Sequence, residues 1–329
     1  MQSAFGPGRV NLIGDHTDYT GGFVLPMAIQ FGTTVTFEPG GDRVILRSGY
    51  EPEPADLPLK IEKPSSVNPK WARYVAGVIA EIEPATGGTG TVTTNLPVGE
   101  GLASSAALEV ATALALGYAG PPDDLAVTCQ RAEQRAVGVP CGVMDQLASV
   151  SGVPGHALLI DCSTNSVTPI PLPGDCEVVA IASGEPRSLD GSRYAERRLE
   201  CEKAASMVGP LRAAALVDLD SIPDRVLRRR ARHVVTENQR VLDFATHIRH
   251  GELREAGALM HESHRSLRDD FAVSTAALDD LVARLVKTPG VYGARLTGAG
   301  FGGSVVALTR PGVLSEGLLL KASAGARLV

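Results

Sequence analysis

The sequence is poor in aromatic residues and lysine, lacks paired cysteines, and has no long apolar run. Aromatic residues make up 4% of the 329 positions, which leaves little for the stacking platforms that hold single-stranded nucleic acid. Six of the 31 basic residues are lysines, and the 37 acidic residues set the net charge at −6. A broad nucleic-acid surface is therefore not expected. The one basic concentration, RVLRRRAR at 225–232, reads as the solvated face of a helix. The five cysteines (Cys129, Cys141, Cys162, Cys176 and Cys201) are odd in number and form no CxxC pair. That argues against a disulfide framework and a thiolate zinc knot, and for a reducing compartment. No apolar stretch reaches the roughly 18 residues of a membrane span. The nearest, residues 102–119, is broken by Ser104, Ser105, Glu109 and Thr112. No charged-then-apolar leader opens the chain. A cytoplasmic protein without membrane or nucleic-acid partners is expected.

What remains is ordinary globular material, 44% hydrophobic and 21% charged. At roughly 150 residues per domain the length suggests two domains. Gly6, Pro7 and Gly8 read as a turn, followed by a polar stretch from Asp15 to Thr20 and β-like runs at 33–37 and 44–46. A Pro- and Glu-rich loop is expected over 51–70. Helical spacing marks 71–82, then a strand at 91–95, an Ala/Leu helix from Ser104 to about Tyr118, and a helix at 122–137. A shorter helix is expected to open at Pro140-Cys141-Gly142 and run through Asp145. Strands follow at 157–161 and 177–183. Residues 192–287 read as helical with breaks near Pro210 and Pro223, and strands at 291–296 and 304–309 close the pattern. The order is α+β rather than alternating βαβ. A boundary is expected at 170–175, where Pro169, Pro171 and Pro173 cluster, giving domains of 1–172 and 173–329.

Four groups of residues carry chemistry. PVGEGLASSA at 97–106 takes a strand through glycine-permissive turns into a helix. Open N–H groups and the macrodipole at such a helix start suit a phosphate. Gly99 and Gly101 allow close backbone approach, and Ser104 and Ser105 offer hydroxyls to a phosphate or Mg²⁺. No GK[ST] follows, so this is not a Walker A loop. An ordinary capped helix also fits. GAGFGG at 298–303 satisfies GxGxxG, but a strand follows it where a dinucleotide site needs a helix. It reads as a backbone wall close to a ligand, or as a plain hairpin. Arg9, Asp15, His16, Asp18 and Tyr19 put donors and acceptors into one loop, suited to a polyhydroxylated substrate, a metal or mere turn chemistry. Glu133 and Asp145 flank Pro140-Cys141-Gly142. His261 and His264, like His247 and His250, stand at i,i+3, but no carboxylate or cysteine pattern supports a zinc site there.

In order and spacing, GRVNLIGDHTDYTGGFVLPMAI (8–29), LPVGEGLASSAALEVA (96–111) and LTGAGFGGSVVAL (296–308) resemble the three motifs of the GHMP small-molecule kinases. The first is close to the galactokinase signature. PKWARYVAGVI (69–79), PCGVMDQ (140–146), SRYAERRLECE (192–202), ARHVVTENQRV (231–241) and SHRSLRDDFAVS (263–274) extend the resemblance over essentially the whole chain. The resemblance implies a two-domain α+β fold with the active site in the interdomain cleft, and ATP-dependent phosphorylation of the anomeric hydroxyl of galactose. A monomer is expected.

Residue by residue, the resemblance implies that Arg9 and Asp145 form the catalytic pair. It implies that Asp15, His16, Asp18, Gly142 and Tyr194 contact the sugar. Pro97, Gly99, Gly101, Leu102, Ala103, Ser104, Ser105 and Ala106 would wrap the ATP phosphates, and Trp71 and Tyr74 would flank the base. Ser105 and Glu133 would hold Mg²⁺, and Gly298, Gly300, Gly302 and Gly303 would form the glycine wall. An arginine beside a carboxylate favours its ionised form and weakens it as a base, so Asp145 is expected mainly to orient the hydroxyl and accept its proton late. Two departures stand out. Position 15 is Asp where the family usually carries Glu, which puts the preferred sugar in doubt and keeps open a related or C6-modified hexose. Ala103 replaces the first serine of GLSSS. A non-catalytic, sugar-sensing relative would have lost the phosphate loop or the catalytic pair, and both are present.

Overall fold

In the computed structural model, residues 1–97, 100–185 and 192–329 are described. The first strand, β1 (Gln2–Asn11), runs straight through the expected Gly6-Pro7-Gly8 turn. The glycines serve packing here. A Cβ on Gly6 would stand 2.3 Å from the carbonyl oxygen of Ala107, and one on Gly8 2.6 Å from that of Leu102. β1 pairs antiparallel with β3 (Pro26–Pro39), with a bulge between Pro7 and Arg9. Further strands are β4 (Arg43–Ser48), β5 (Ala55–Pro58), β6 (Gly88–Thr94) and β13 (Arg327–Leu328). The resulting six-stranded sheet has the order β13-β1-β3-β6-β4-β5, in which only the β4–β6 pairing is parallel. β5 and a short 3₁₀ turn at Pro64–Ser66 fall where a Pro- and Glu-rich loop was expected.

Four helices belong to this half: α1 (Ala72–Ile82), α2 (Ser104–Ala115), α3 (Pro122–Val137) and α4 (Met144–Ser151). α3 begins with a first-turn proline and stops at Gly138 in the left-handed region, a favourable start and stop. α4 differs from the sequence-based expectation. The chain stays non-helical through Pro140-Cys141-Gly142, and the helix starts at Met144. Asp145 therefore lies in its first turn rather than its last. A small sheet, β2 (Phe23–Val24), β7 (His156–Asp161) and β8 (Ser166–Pro171), follows in the order β2-β7-β8. Pro169 and Pro171 lie inside edge strand β8, where a missing N–H is tolerated.

After Pro171 the chain enters a different, antiparallel sheet. It is built from β9 (Glu177–Ala182), β10 (Val291–Thr297), β11 (Ser304–Thr309) and β12 (Leu318–Leu320), in the order β10-β11-β9-β12. All six positions of the central β11 are buried. The helices here are α5 (Ser192–Val208), α6 (Arg225–His250), α7 (Leu253–Asp269) and α8 (Ala276–Val286). Asp224 caps α6 by accepting from the N–H groups of Val226 and Leu227. The basic run opens α6. Arg225, Arg228, Arg229 and Arg232 line a shallow surface groove. Arg230 departs from the expected solvated face: it is buried and donates to Glu200 and to the carbonyl of Asp270.

One apolar cluster joins Leu12, Ile13 and Leu25 to Phe244, Met260 and Val306, so the first-motif segment and the later helices share a core. The tail returns to the first sheet, with β13 on β1 and a bridge from Ala322 to Ile29. No helix among the described residues is long and apolar enough to cross a membrane.

Candidate active site

Arg9 follows the β1 bulge and is 5% exposed. Its Nε and Nη2 donate to the two carboxylate oxygens of Asp145, each at 2.7 Å, and its Nη1 donates to the carbonyl of Gly101 at 2.5 Å. The backbone N–H of Arg9 donates to Leu102 at 3.1 Å. Strand, carboxylate and glycine loop are thus locked in one cluster. The fork-on-carboxylate geometry is the strong, directional form of this pair.

The loop leading into α2 uses the left-handed region at Gly101 (φ 77°) and at Ala103 (φ 58°). For alanine that conformation is strained, as is common where a loop must present its backbone. Leu102 and Ala106 are buried beneath it, Ser104 is exposed and Ser105 half-buried. The N–H groups of Ser104, Ser105 and Ala106 open the helix without intrahelical partners. Gly99 lies outside the described residues, and Pro97 is half-buried. The second glycine segment packs against the first. Ser304 donates to the carbonyl of Glu100 at 3.1 Å, and a Cβ on Gly298 would come 3.7 Å from the carbonyl oxygen of Gly101. Gly298, Gly300, Phe301, Gly302 and Gly303 all have positive φ. At Gly300 the need is steric as well, since a Cβ would stand 2.4 Å from the carbonyl of Val273. Trp71 and Tyr74 flank the start of α1, half-buried against the core under the six-stranded sheet, and the Trp71 indole donates to the carbonyl of Glu53.

Ser105 donates to Glu133 Oε1 at 2.7 Å. The other oxygen of Glu133 accepts from the Gln146 amide at 2.8 Å and from the Cys141 thiol at 3.4 Å. Burial and then the nearby Asp145 push the Glu133 carboxyl up from its ordinary range. Among the described residues no group of three or more His, Cys, Asp or Glu side chains is placed to hold a metal. One carboxylate and one hydroxyl instead suit a Mg²⁺ whose remaining ligands are phosphate oxygens and water. One member of each histidine pair is engaged elsewhere. His264 bonds Asp279 and accepts from the N–H of Leu296, and His247 bonds Glu252.

The first-motif loop brings its polar side chains together. His16, itself at φ 67°, bonds the Tyr19 hydroxyl and the carbonyl of Ala299. The Tyr194 ring lies 5.7 Å from His16 and 5.4 Å from Tyr19. Asp18 is packed directly on Gly142, where a Cβ would fall 1.7 Å from its Oδ2. Burial, then the like charge of Asp145, holds Asp18 up at about 7. Asp15 is 2% exposed; it accepts from the N–H of Gly298 at 2.9 Å and lies 2.5 Å from Arg295. Its shorter side chain is therefore engaged by the glycine turn and a buried arginine.

Sequence reasoning did not single out Arg295, Glu237, Glu109 or Gln146 as site residues. All four have no exposed surface. Arg295 joins Asp15 to Ser263 and, at 3.9 Å, to Glu237. Against the cost of burial, Arg240, His233 and Arg295 bring Glu237 down to about 2. A carboxylate inside the apolar run of α2, at Glu109, was the one visible signal.

A glycine loop feeding an open helix start beside a locked guanidinium and carboxylate matches the GHMP small-molecule kinases. Models of that class match residues 73–153 (GHMP kinases N terminal domain) and 244–319 (GHMP kinases C terminal). A further model, the galactokinase galactose-binding signature, matches residues 2–39. The chain is 43% identical to galactokinase of Homo sapiens and 44% to that of Bos taurus, each over 92% of this chain and 82% of the relative. It aligns with the crystal structure of Lactococcus lactis galactokinase complexed with galactose at a TM-score of 0.91 and 30% identity, covering 99% of this chain and 94% of that one. The chain belongs to the galactokinase family.

Proposed function

We infer that the protein transfers the γ-phosphoryl group of ATP to the anomeric hydroxyl of D-galactose, giving galactose 1-phosphate and ADP. The observation that carries this reading is the two-bond Arg9–Asp145 fork tied to the Gly101 carbonyl, in a chain whose first 39 residues contain the galactose-binding signature. Kinship with galactokinases favours galactose over a C6-modified hexose.

Phosphoryl transfer passes through a loose transition state, so positioning and charge stabilisation do most of the work. In our reading Asp18, His16 and Tyr194 take sugar hydroxyls over the Gly142 floor, and Asp145 receives the C1 hydroxyl. The O1–P bond forms as the bond to ADP breaks, and the O1 proton passes to Asp145. Arg9 holds the Asp145 carboxylate in plane and offsets charge on the attacking and transferring oxygens. Both oxygens of Asp145 already accept from Arg9, which supports orientation of the hydroxyl ahead of proton removal. The first N–H groups of α2 and the backbone of 298–303 would line the triphosphate. Asp15, held by Gly298 and Arg295, braces the sugar loop against that wall.

Ser105 and Glu133 would hold Mg²⁺, supported by their 2.7 Å contact and by the raised Glu133 carboxyl, which a cation would reverse. Bound there, Mg²⁺ supplies charge neutralisation for the β- and γ-phosphates. Five unpaired cysteines support a reducing, cytoplasmic setting.

The test is ATP consumption with Mg²⁺ against galactose, talose, N-acetylgalactosamine, fucose and arabinose, with the product identified by ³¹P NMR. Galactose 1-phosphate as the main product is expected. Weak galactose turnover beside a better hexose would overturn the choice of sugar, and silence on every sugar would overturn the reaction.

A further inference from the structure

Gln146 follows the catalytic Asp145 in the first turn of α4, and neither it nor Glu109 has any exposed surface. Its side-chain amide nitrogen donates twice, to Glu133 Oε2 at 2.8 Å and to Glu109 Oε2 at 3.1 Å. One carboxamide therefore bridges two carboxyl groups on different helices, α3 and α2. Glu109 stands one helical turn after Ser105, on the same face of α2. The charged groups that act on it, Glu133 and Asp145, share its sign.

Two atoms of this cluster are left over. Glu109 Oε1 and Gln146 Oε1 are both buried and both without a hydrogen-bond partner. If Glu109 is ionised, both are acceptors and the cluster has no donor for either. A fully buried carboxylate with no cation beside it is also costly. A proton on Glu109 supplies the missing donor. The acid and the amide can then pair reciprocally, N–H to carboxyl oxygen and O–H to amide oxygen.

We propose that Glu109 and Gln146 are positioning residues for the metal end of the reaction: Glu109, as a neutral acid, pins the Gln146 carboxamide, and Gln146 fixes the Glu133 carboxylate. The proposal rests on the reading of Glu133 as a Mg²⁺ ligand. Glu133 has two oxygens to share among Ser105, Cys141, Gln146 and a cation. Without the Gln146 bond its carboxylate is free to rotate away from Ser105. Neither residue touches substrate.

The test uses Mn²⁺ as the probe, its binding to the full-length protein with ADP followed by EPR, with Tm and steady-state constants measured alongside. Glu133→Gln comes first and should weaken Mn²⁺ binding. Gln146→Leu should weaken it about 10- to 100-fold, the usual effect of removing a group that orients a metal ligand. It should raise the KM for MgATP and leave the KM for galactose unchanged, a split that general loosening of the core would not produce. Glu109→Gln keeps a neutral group of the same shape and both pairings, and should keep the wild-type Mn²⁺ affinity and Tm. If Glu133→Gln weakens Mn²⁺ binding and Gln146→Leu does not, positioning is overturned and the metal reading stands. If Glu133→Gln itself has no effect, the metal reading falls and takes the proposal with it. Glu109→Gln as weak as Gln146→Leu, or unfolded, would show that Glu109 works as a charge, against the proposal.

Discussion

Arg9 and Asp145 meet edge to edge across two 2.7 Å hydrogen bonds, although 136 positions separate them in the chain. The third guanidinium bond, to Gly101, fixes the pair to the glycine loop ahead of α2. On the proposed mechanism, Arg9→Ala removes charge stabilisation and frees Asp145 to turn, and Asp145→Ala removes the group that would receive the hydroxyl. Each should lower kcat at least about 10²-fold, the usual cost of losing one transition-state contact. The fold of Asp145→Ala should survive, since Asp145 is partly solvated. Turnover and circular dichroism on purified variants check this. Near-normal kcat in either variant would remove the pair from the mechanism.

In the proposed sugar site, Asp18 would link binding to pH. Burial, then the like charges of Asp145 and Asp15, hold its carboxyl up at about 7 from an ordinary 3.8, against the opposing N–H of Tyr19 and Arg9. The folded protein thus binds this proton more tightly than the unfolded chain. The resulting stability is complete below pH 3.8 and is lost as pH rises through about 7. Asp18→Asn should therefore gain Tm relative to wild type as pH is raised from 4 to 8, while its KM for galactose worsens. In wild type, kcat/KM for galactose should fall below pH 7 as the acceptor is protonated. Parallel Tm curves for the two proteins would show that Asp18 does not carry the shift.

Gly142 is the floor on which Asp18 rests. A methyl there would overlap the Asp18 carboxyl, with its Cγ at 2.3 Å and its Oδ2 at 1.7 Å. All three overlapping atoms belong to the Asp18 side chain, so its carboxyl must swing aside from its present position. Gly142→Ala should lose about 10²-fold in kcat/KM for galactose, a cost typical of displacing a positioning group by 1 Å. The KM for MgATP should be unchanged. Equal losses for both substrates would point to a collapsed site instead.

Legibility in the sequence followed how local each signal was. α3 was readable at both ends because its boundary signals are local, a proline in the first turn and Gly138 just after the last. β1 was misread because Gly6-Pro7-Gly8 has turn composition. Gly6 answers to the backbone of α2, 2.3 Å from where a side chain would begin, and Gly8 to the carbonyl of Leu102 just ahead of that helix. The motif residues Arg9, Asp18, Gly142 and Asp145 were visible through family resemblance, yet nothing in their spacing shows that Asp18 sits on Gly142. The buried braces were hidden for a similar reason. A single Arg295 in a β-strand or Glu109 in an apolar helix shows no partner until the fold supplies one from a distant element.

The last brace makes a stability prediction of opposite sign to that of Asp18. Glu237 accepts from the N–H of Gly14, from the Ser263 hydroxyl and from Arg240, and it lies near Arg295. Its carboxyl is brought down to about 2 from an ordinary 4.5. The folded state therefore favours the ionised form, and this stability is present above pH 4.5 and lost as pH falls through 2. Glu237→Gln takes the carboxylate partner from Arg240, and breaking a buried pair in this way costs about 3–5 kcal/mol. Urea unfolding at pH 7 should show that loss, and the gap to wild type should narrow at pH 3, where the wild-type carboxylate has given up part of its advantage. A difference that does not change between the two pH values would mean that packing, and not the charge on Glu237, holds the first-motif loop to α6.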